Sequence, residues 1–290
     1  MKILVIGGTG LIGTHVVDAA IQRGHEVSWT YFSSDIKDIS HAHQLDKTEV
    51  DAVNHLINKI KPDAVIDSAA FVDVDACEME RERTWAVNVS GSRNVAVASN
   101  KVGAHLLTFS TDYVFRGDPE SAPYEPQDPI NPQNYYGVTK YAAEGAARIV
   151  KECTILRTSV VYSVAPANFV MWALSELEMG HEISIVNDQV STPTFATDLA
   201  LASIEILERR LKGIFHAAGP KSMSRYAFTR LLADTFGYNP MLVRPISTAE
   251  LKQNASRPPD GSLDSVALYD RLGWPFSGPQ EAFFAMRENS

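Results

Sequence analysis

The chain is 290 residues long, 45% hydrophobic and 21% charged, with a formal net charge of -9 and a pI near 5.4. This acidity, with no basic cluster to offset it, excludes a surface built for nucleic acid or an anionic membrane. The ordinary globular balance excludes low-complexity or fibrous classes. The length predicts a large domain with a smaller partner assembled from late segments.

Residues 2–6 read as a buried parallel strand, far shorter than the ~20 apolar residues of a membrane helix, and do not read as a secretory signal. The turn Gly7-Gly8-Thr9-Gly10-Leu11-Ile12-Gly13 follows, then a helix reaching about Arg23 and stopped by Gly24. In such a strand-turn-helix, Gly7 permits the tight turn, Gly10 lets backbone approach a pyrophosphate, and Gly13 lets helix pack on strand. Leu11 and Ile12 open a helix whose N-terminus would carry the phosphate charge. The second strand, 25–31, should end where NAD enzymes hold the ribose 2′-hydroxyl with an acidic residue. None is there. Thr30, Ser33 and Ser34 offer hydroxyls to a 2′-phosphate instead, with Lys37 the nearest cation, so NADP(H) is the preferred cofactor and NAD(H) a possible one.

Asp46, ending a short strand, is placed to meet the adenine ring. A helix over Val50–Lys59 leads to a strand at 64–67 and then to Ala69 and Ala70, small enough for the cofactor to lie across the strand end. Asp73 to Glu78 read as a polar loop with Asp75 and Glu78 solvated, followed by a long helix through Trp85 and Asn88 to Lys101. Cys77 and Cys153 are the only cysteines, which points to a reducing compartment, read as cytoplasm.

The core strand 104–109 ends in Ser110-Thr111-Asp112, and in an open α/β sheet catalytic groups lie beyond such carboxyl ends. Thr111 would hold a substrate carbonyl oxygen and Asp112 would orient substrate hydroxyls. Residues 116–134, with five prolines, read as a surface loop over the site. The helix from Tyr136 to about 151 places Tyr136 and Lys140 one turn apart on one face. A nearby ammonium pulls a phenol below its usual pKa of ~10, so Tyr136 can act as acid or base.

After a strand at 153–158 the pattern loosens into a helix near 168–179, a strand 183–186 and a segment carrying Gln189. The chain then returns to the sheet through a helix at 197–209 and a strand at 214–217. A helix at 225–236, a strand at 241–244, the Arg257 segment and helices near 266–272 and 278–288 complete it. Residues 1–158, with return segments near 195–220, therefore form a dinucleotide-binding domain, and 159–290 mainly a substrate-binding region. The fold class is α/β: a doubly wound parallel sheet of Rossmann type with a smaller interleaved α+β region. The eight histidines show no metal spacing, so no metal site is assigned.

Gly7-x-x-Gly10-x-x-Gly13, Thr111 and Tyr136-x-x-x-Lys140 together resemble the extended short-chain dehydrogenase/reductases. Ser110-Thr111-Asp112-Tyr113-Val114-Phe115-Arg116-Gly117, Tyr136-Gly137-x-Thr139-Lys140-x-x-x-Glu144, Asp188-Gln189-x-x-x-Pro193-Thr194 and Arg257-Pro258-x-x-x-x-Leu263-Asp264 look like the dTDP-4-dehydrorhamnose reductase family. That resemblance implies a catalytic Thr111, Tyr136 and Lys140, and an Asp112 that contacts the sugar of a nucleotide-activated 4-keto-6-deoxy substrate. Val160 and Gln189 would line the substrate wall, and Arg257 is a candidate for the nucleotide phosphates, or else a structural salt bridge. The sequence departs from the family at Val160, where its reductases usually carry a Trp lining the sugar site, and at Gly261, where a Ser is usual. The exact sugar therefore stays open, as does the oligomeric state, with a homodimer possible. The outline is also similar to the regulatory subunit of methionine adenosyltransferase, and an epimerase or dehydratase would use the same cofactor, so both remain alternatives.

Overall fold

The computed structural model describes residues 1–33, 40–165 and 168–288; Ser34 and Lys37, assigned above to the 2′-phosphate, lie outside them. Ile3, Leu4, Val5 and Ile6 are at most 1% exposed, as a strand covered on both faces must be. This strand, β1 (Lys2–Ile6), lies inside a seven-stranded sheet. On one side it pairs with β2 (Glu26–Tyr31), which pairs with β3 (Ala42–Gln44). On the other side follow β4 (Ala64–Asp67), β5 (His105–Thr111), β6 (Cys153–Thr158) and finally the strand Gly213–His216. Every pairing is parallel. The chain builds outward from β1 in one direction and then from β4 in the other, so a crevice opens beyond the carboxyl ends of β1 and β4.

Apolar layers close both faces of the sheet. Val16 and Ala20 of the helix Leu11–Gln22 pack with Leu199 and Ala200 of the helix Ala196–Glu208 on one side; Val53, Ile57 and Val95 cover Leu4, Val65 and Leu106 on the other. The later segments have a core of their own, where Tyr162, Phe228 and Phe283 meet at ring-centroid distances of 5.0 to 5.5 Å. Val170, Leu232 and Met286 pack around them. The strands Val243–Ile246 and Ile183–Val186 pair in parallel at its edge.

Three local expectations change. Residues 74–79 form a helix rather than a loop, because the Asp73 carboxylate accepts from Ala76 N at 3.0 Å and caps it. The long helix after it contains a π-helical stretch at Ala86–Gly91 between the α-helices Arg81–Trp85 and Ser92–Val102. The strand expected at 241–244 begins two residues later, since Pro240–Leu242 form a 3₁₀ turn capped by Asn239. Among the described residues no helix is long and apolar enough to cross a membrane.

Candidate active site

The glycine turn is dictated by contact as much as by torsion. Gly7 has φ +83°, and a Cβ on Gly13 would stand 2.0 Å from the Gly7 carbonyl oxygen. The helix after it starts at Leu11 with no side-chain cap and no acidic residue in its first turn, which leaves its N-terminus suited to an anion. From here a cleft of about 450 Å³ runs past Gly10, Leu11, Ile12, Ser33, Ala69 and Ala70 to Thr111, Asp112, Tyr136, Lys140 and Val160. A second cavity of about 370 Å³ shares Gly7, Phe32, Ala69 and Ala70 and extends to Thr30 and Asp46. These two spaces suit a dinucleotide: a long bent volume with a glycine cradle at its middle.

Two cofactor assignments carry local duties the sequence did not reveal. The Thr30 hydroxyl is buried and accepts from Gly7 N at 3.0 Å, so it braces the turn. Asp46 takes the Thr48 amide and hydroxyl on one oxygen, at 2.8 and 2.7 Å, while still lining the cavity. Beside it lies Lys47, a residue sequence reasoning passed over. Its buried ammonium donates to both Asp67 oxygens at 2.9 and 2.8 Å, to Ala69 O at 2.7 Å and to the Ser92 hydroxyl at 3.0 Å. That set fastens the floor of the cleft to the next helix.

At the reacting end, Asn134 caps the helix Tyr135–Ala147 by accepting from Gly137 N at 2.8 Å. A Cβ on Gly137 would meet the Tyr113 carbonyl oxygen at 2.2 Å, so this helix approaches the end of β5 as closely as glycine allows. Tyr136 is thereby brought beside Thr111. Its phenol pKa moves opposite to the expected lowering: burial, and then the Asp112 charge, raise it well above its usual value, and the hydrogen bond with Thr111 opposes them. Lys140 is itself buried, and desolvation with the neighbouring Lys47 charge brings its pKa down to about 8, against the pull of Asp67 and Glu144. Thr111 gives its proton to Asp112 Oδ1 at 2.8 Å, and Ser159 gives one to Oδ2 at 2.6 Å. Burial nevertheless raises the Asp112 carboxyl to about 6. Thr111 is therefore tied to Asp112, where the sequence suggested a hydroxyl directed at substrate alone.

Val160 lines both this cleft and a small adjoining cavity with Gln189, Arg225 and Gly261. It has φ +44°, a conformation costing about 1–3 kcal/mol that only a well-determined surround maintains; its carbonyl accepts from Thr194 N at 3.1 Å. The Gln189 amide is held by Thr248 and Gln253 at 2.9 and 3.1 Å.

Arg257 belongs to the salt-bridge alternative rather than to a phosphate site. Its Nη1 and Nη2 reach the two Asp75 oxygens at 3.0 and 2.7 Å, and Nη1 also donates to Ala255 O at 2.7 Å. Asp75 is accordingly not a solvated loop residue, and Glu78 accepts from Tyr135 N at 2.6 Å. The Arg257 hydrogen bond holds the Asp75 pKa below its ordinary value. The pair thus stabilises the fold above the usual carboxylate range, and that contribution disappears as pH falls through the depressed value. Asp75→Asn should be less stable than wild type at pH 7, with the gap closing below about pH 4, as urea unfolding across that range would show.

The family model described as the RmlD substrate binding domain matches residues 1–285. The dTDP-4-dehydrorhamnose reductase of Mycolicibacterium smegmatis is 35% identical over 260 residues, covering 89% of this chain and 76% of that protein. The chain belongs to the dTDP-4-dehydrorhamnose reductase family. The spore coat polysaccharide biosynthesis protein SpsK of Bacillus subtilis is 33% identical, over 92% of this chain and 90% of that one. A crystal structure of dTDP-4-dehydrorhamnose reductase from Bacillus anthracis in complex with NADP superposes with a TM-score of 0.89, at 29% identity and with 100% of both chains covered. The fold expected of the family is the one found, a seven-stranded parallel sheet with flanking helices.

Proposed function

We propose that this protein is an NADP(H)-preferring reductase, able to accept NAD(H), that reduces the 4-keto group of a nucleotide-activated 6-deoxy sugar. The observation that carries the reading is the convergence of Thr111, Tyr136 and Lys140 at one end of a cleft whose other end is the Gly7–Gly13 turn. Membership of the reductase family and the NADP-bound relative support the same activity. A bound nicotinamide would supply hydride to the ketone carbon. Tyr136, kept protonated by its burial, gives its phenolic proton to the ketone oxygen. Thr111 turns its hydroxyl between Asp112 and that oxygen, and Asp112 holds the sugar in the orientation that exposes its ketone. Lys140 holds a positive charge beside the phenol and reaches the ribose of the dinucleotide. The end of β2 supplies Tyr31, Phe32 and Ser33, none of them the carboxylate that would take a ribose 2′-hydroxyl, which favours NADP(H). The two free cysteines fit a cytoplasmic setting.

The test is consumption of NADPH, followed by its absorbance, on addition of dTDP-, UDP- or GDP-4-keto-6-deoxyhexoses. Stoichiometric loss of NADPH with one of them is expected, and a dissociation constant for NADPH no weaker than for NADH. A sugar converted with no net NADPH loss would make the protein an epimerase or dehydratase. No reaction with any of them would leave a regulatory subunit. A tenfold preference for NADH, about 1.4 kcal/mol, would overturn the cofactor assignment alone.

A further inference from the structure

We infer that Arg225 is the residue that takes the diphosphate of the nucleotide sugar, an assignment that rests on the reductase reading above. Arg257, the sequence's candidate, has spent its planar fork on Asp75 and Ala255. Arg225 is in the opposite condition. It opens the helix Arg225–Phe236, directly after the capping Ser224, and its guanidinium lies over the Phe169 ring at 5.1 Å. Among the described residues no carboxylate stands within ion-pair distance of it. Burial weighs against its charge, Tyr113 and Asp112 favour it and Arg257 opposes it, and both Asp112 oxygens are occupied by Thr111 and Ser159.

A guanidinium carries five donors in a rigid fork. Partly withdrawn from water without an acceptor, such a charge is costly, and an anion placed against it would remove the cost. The space beside it is small, about 10 Å³, which admits a single phosphate oxygen and leaves the rest of the diphosphate to the adjoining cleft. Arg225 lines the small cavity with Asp112, Val160, Gln189 and Gly261, and Asp112 and Val160 also line the cleft that holds Tyr136 and Lys140. A group bound to Arg225 therefore shares the Asp112 and Val160 wall with the cleft that holds Tyr136 and Lys140, as the diphosphate of a nucleotide sugar whose ketone faces Tyr136 would. Opposite it, a Cβ on Gly261 would come 2.9 Å from Asp112 Oδ2. The Arg257 segment thus closes this corner with backbone rather than with a charged side chain, and Arg225 is left to supply the cation.

The experiment is calorimetric titration of the NADPH-loaded protein with thymidine, dTDP, UDP and a dTDP-hexose. Wild type should bind dTDP or UDP at least tenfold more tightly than the nucleoside, and Arg225→Gln should lose most of that difference. Arg225→Lys should keep part of it, and both variants should retain wild-type NADPH affinity and thermal midpoint. Equal dTDP binding by wild type and Arg225→Gln overturns the inference while leaving the reductase reading intact. So does a variant that weakens dTDP-hexose but not dTDP, since Arg225 would then read the sugar. A wild type that binds no nucleoside diphosphate removes the reductase reading, and this inference with it.

Discussion

Replacing Tyr136 with Phe is expected to lower turnover by about 10²–10⁴, the usual worth of a positioned general acid, while leaving NADPH binding close to wild type. Only the hydroxyl is removed, and the ring keeps its edge-on contact with Tyr113, at 6.1 Å between centroids. In free-energy terms the loss is about 3–5 kcal/mol of transition-state stabilisation. Because burial and Asp112 raise the phenol, Tyr136 stays protonated through neutral pH and the reductive direction should show no loss there. Activity should instead decline above about 8, where Lys140 gives up its charge. Lys140→Met should therefore harm both turnover and cofactor affinity, separating it from Tyr136→Phe. Undiminished turnover in Tyr136→Phe would exclude the phenol as proton donor.

What was legible in the sequence is what is settled within a few residues. The glycine turn follows from backbone contacts local to one strand and one helix, and the Tyr136–Lys140 pair from helical periodicity. The strand end puts Thr111 at the last position of β5 and Asp112 just beyond it without knowledge of any partner. Illegible were interactions between segments distant in sequence. Asp75 meets Arg257 across 182 residues, so the sequence could offer a phosphate site and a salt bridge for Arg257 but not choose between them. Lys47 beside Asp46 looks like any polar surface residue until Asp67, Ala69 and Ser92 surround it. The phenol pKa escapes the sequence for a related reason: spacing puts Lys140 one turn from Tyr136, but the desolvation that raises the phenol requires the packed site.

Glu144, one turn beyond Lys140, is the basis of the largest stability effect expected. Arg157 is 1% exposed and donates to both Glu144 oxygens, Nε to Oε1 at 2.8 Å and Nη2 to Oε2 at 2.9 Å, with Nη1 on Pro126 O at 2.9 Å. Ser110 adds a bond to Glu144 Oε1 at 2.6 Å, and the guanidinium lies 5.2 Å from the Phe115 ring centroid. One buried pair therefore fixes the catalytic helix to β5, β6 and the proline-rich loop at once. Arg157→Met leaves the Glu144 carboxylate in the core with only the Ser110 hydroxyl and, at 3.7 Å, the exposed Arg148 beside it, so it should cost about 3–5 kcal/mol. Joining it with Glu144→Leu should recover much of that loss, since a buried pair replaced by apolar groups of similar volume is often neutral. Urea unfolding of the two single variants and the double variant measures the coupling. A double variant no more stable than Arg157→Met alone would show that the pair acts through its links to Ser110 and Pro126 rather than through mutual neutralisation. Turnover of the double variant adds the functional half of the argument: Glu144 supports the Lys140 charge, so its removal should bring the alkaline loss of activity to lower pH even where stability is restored.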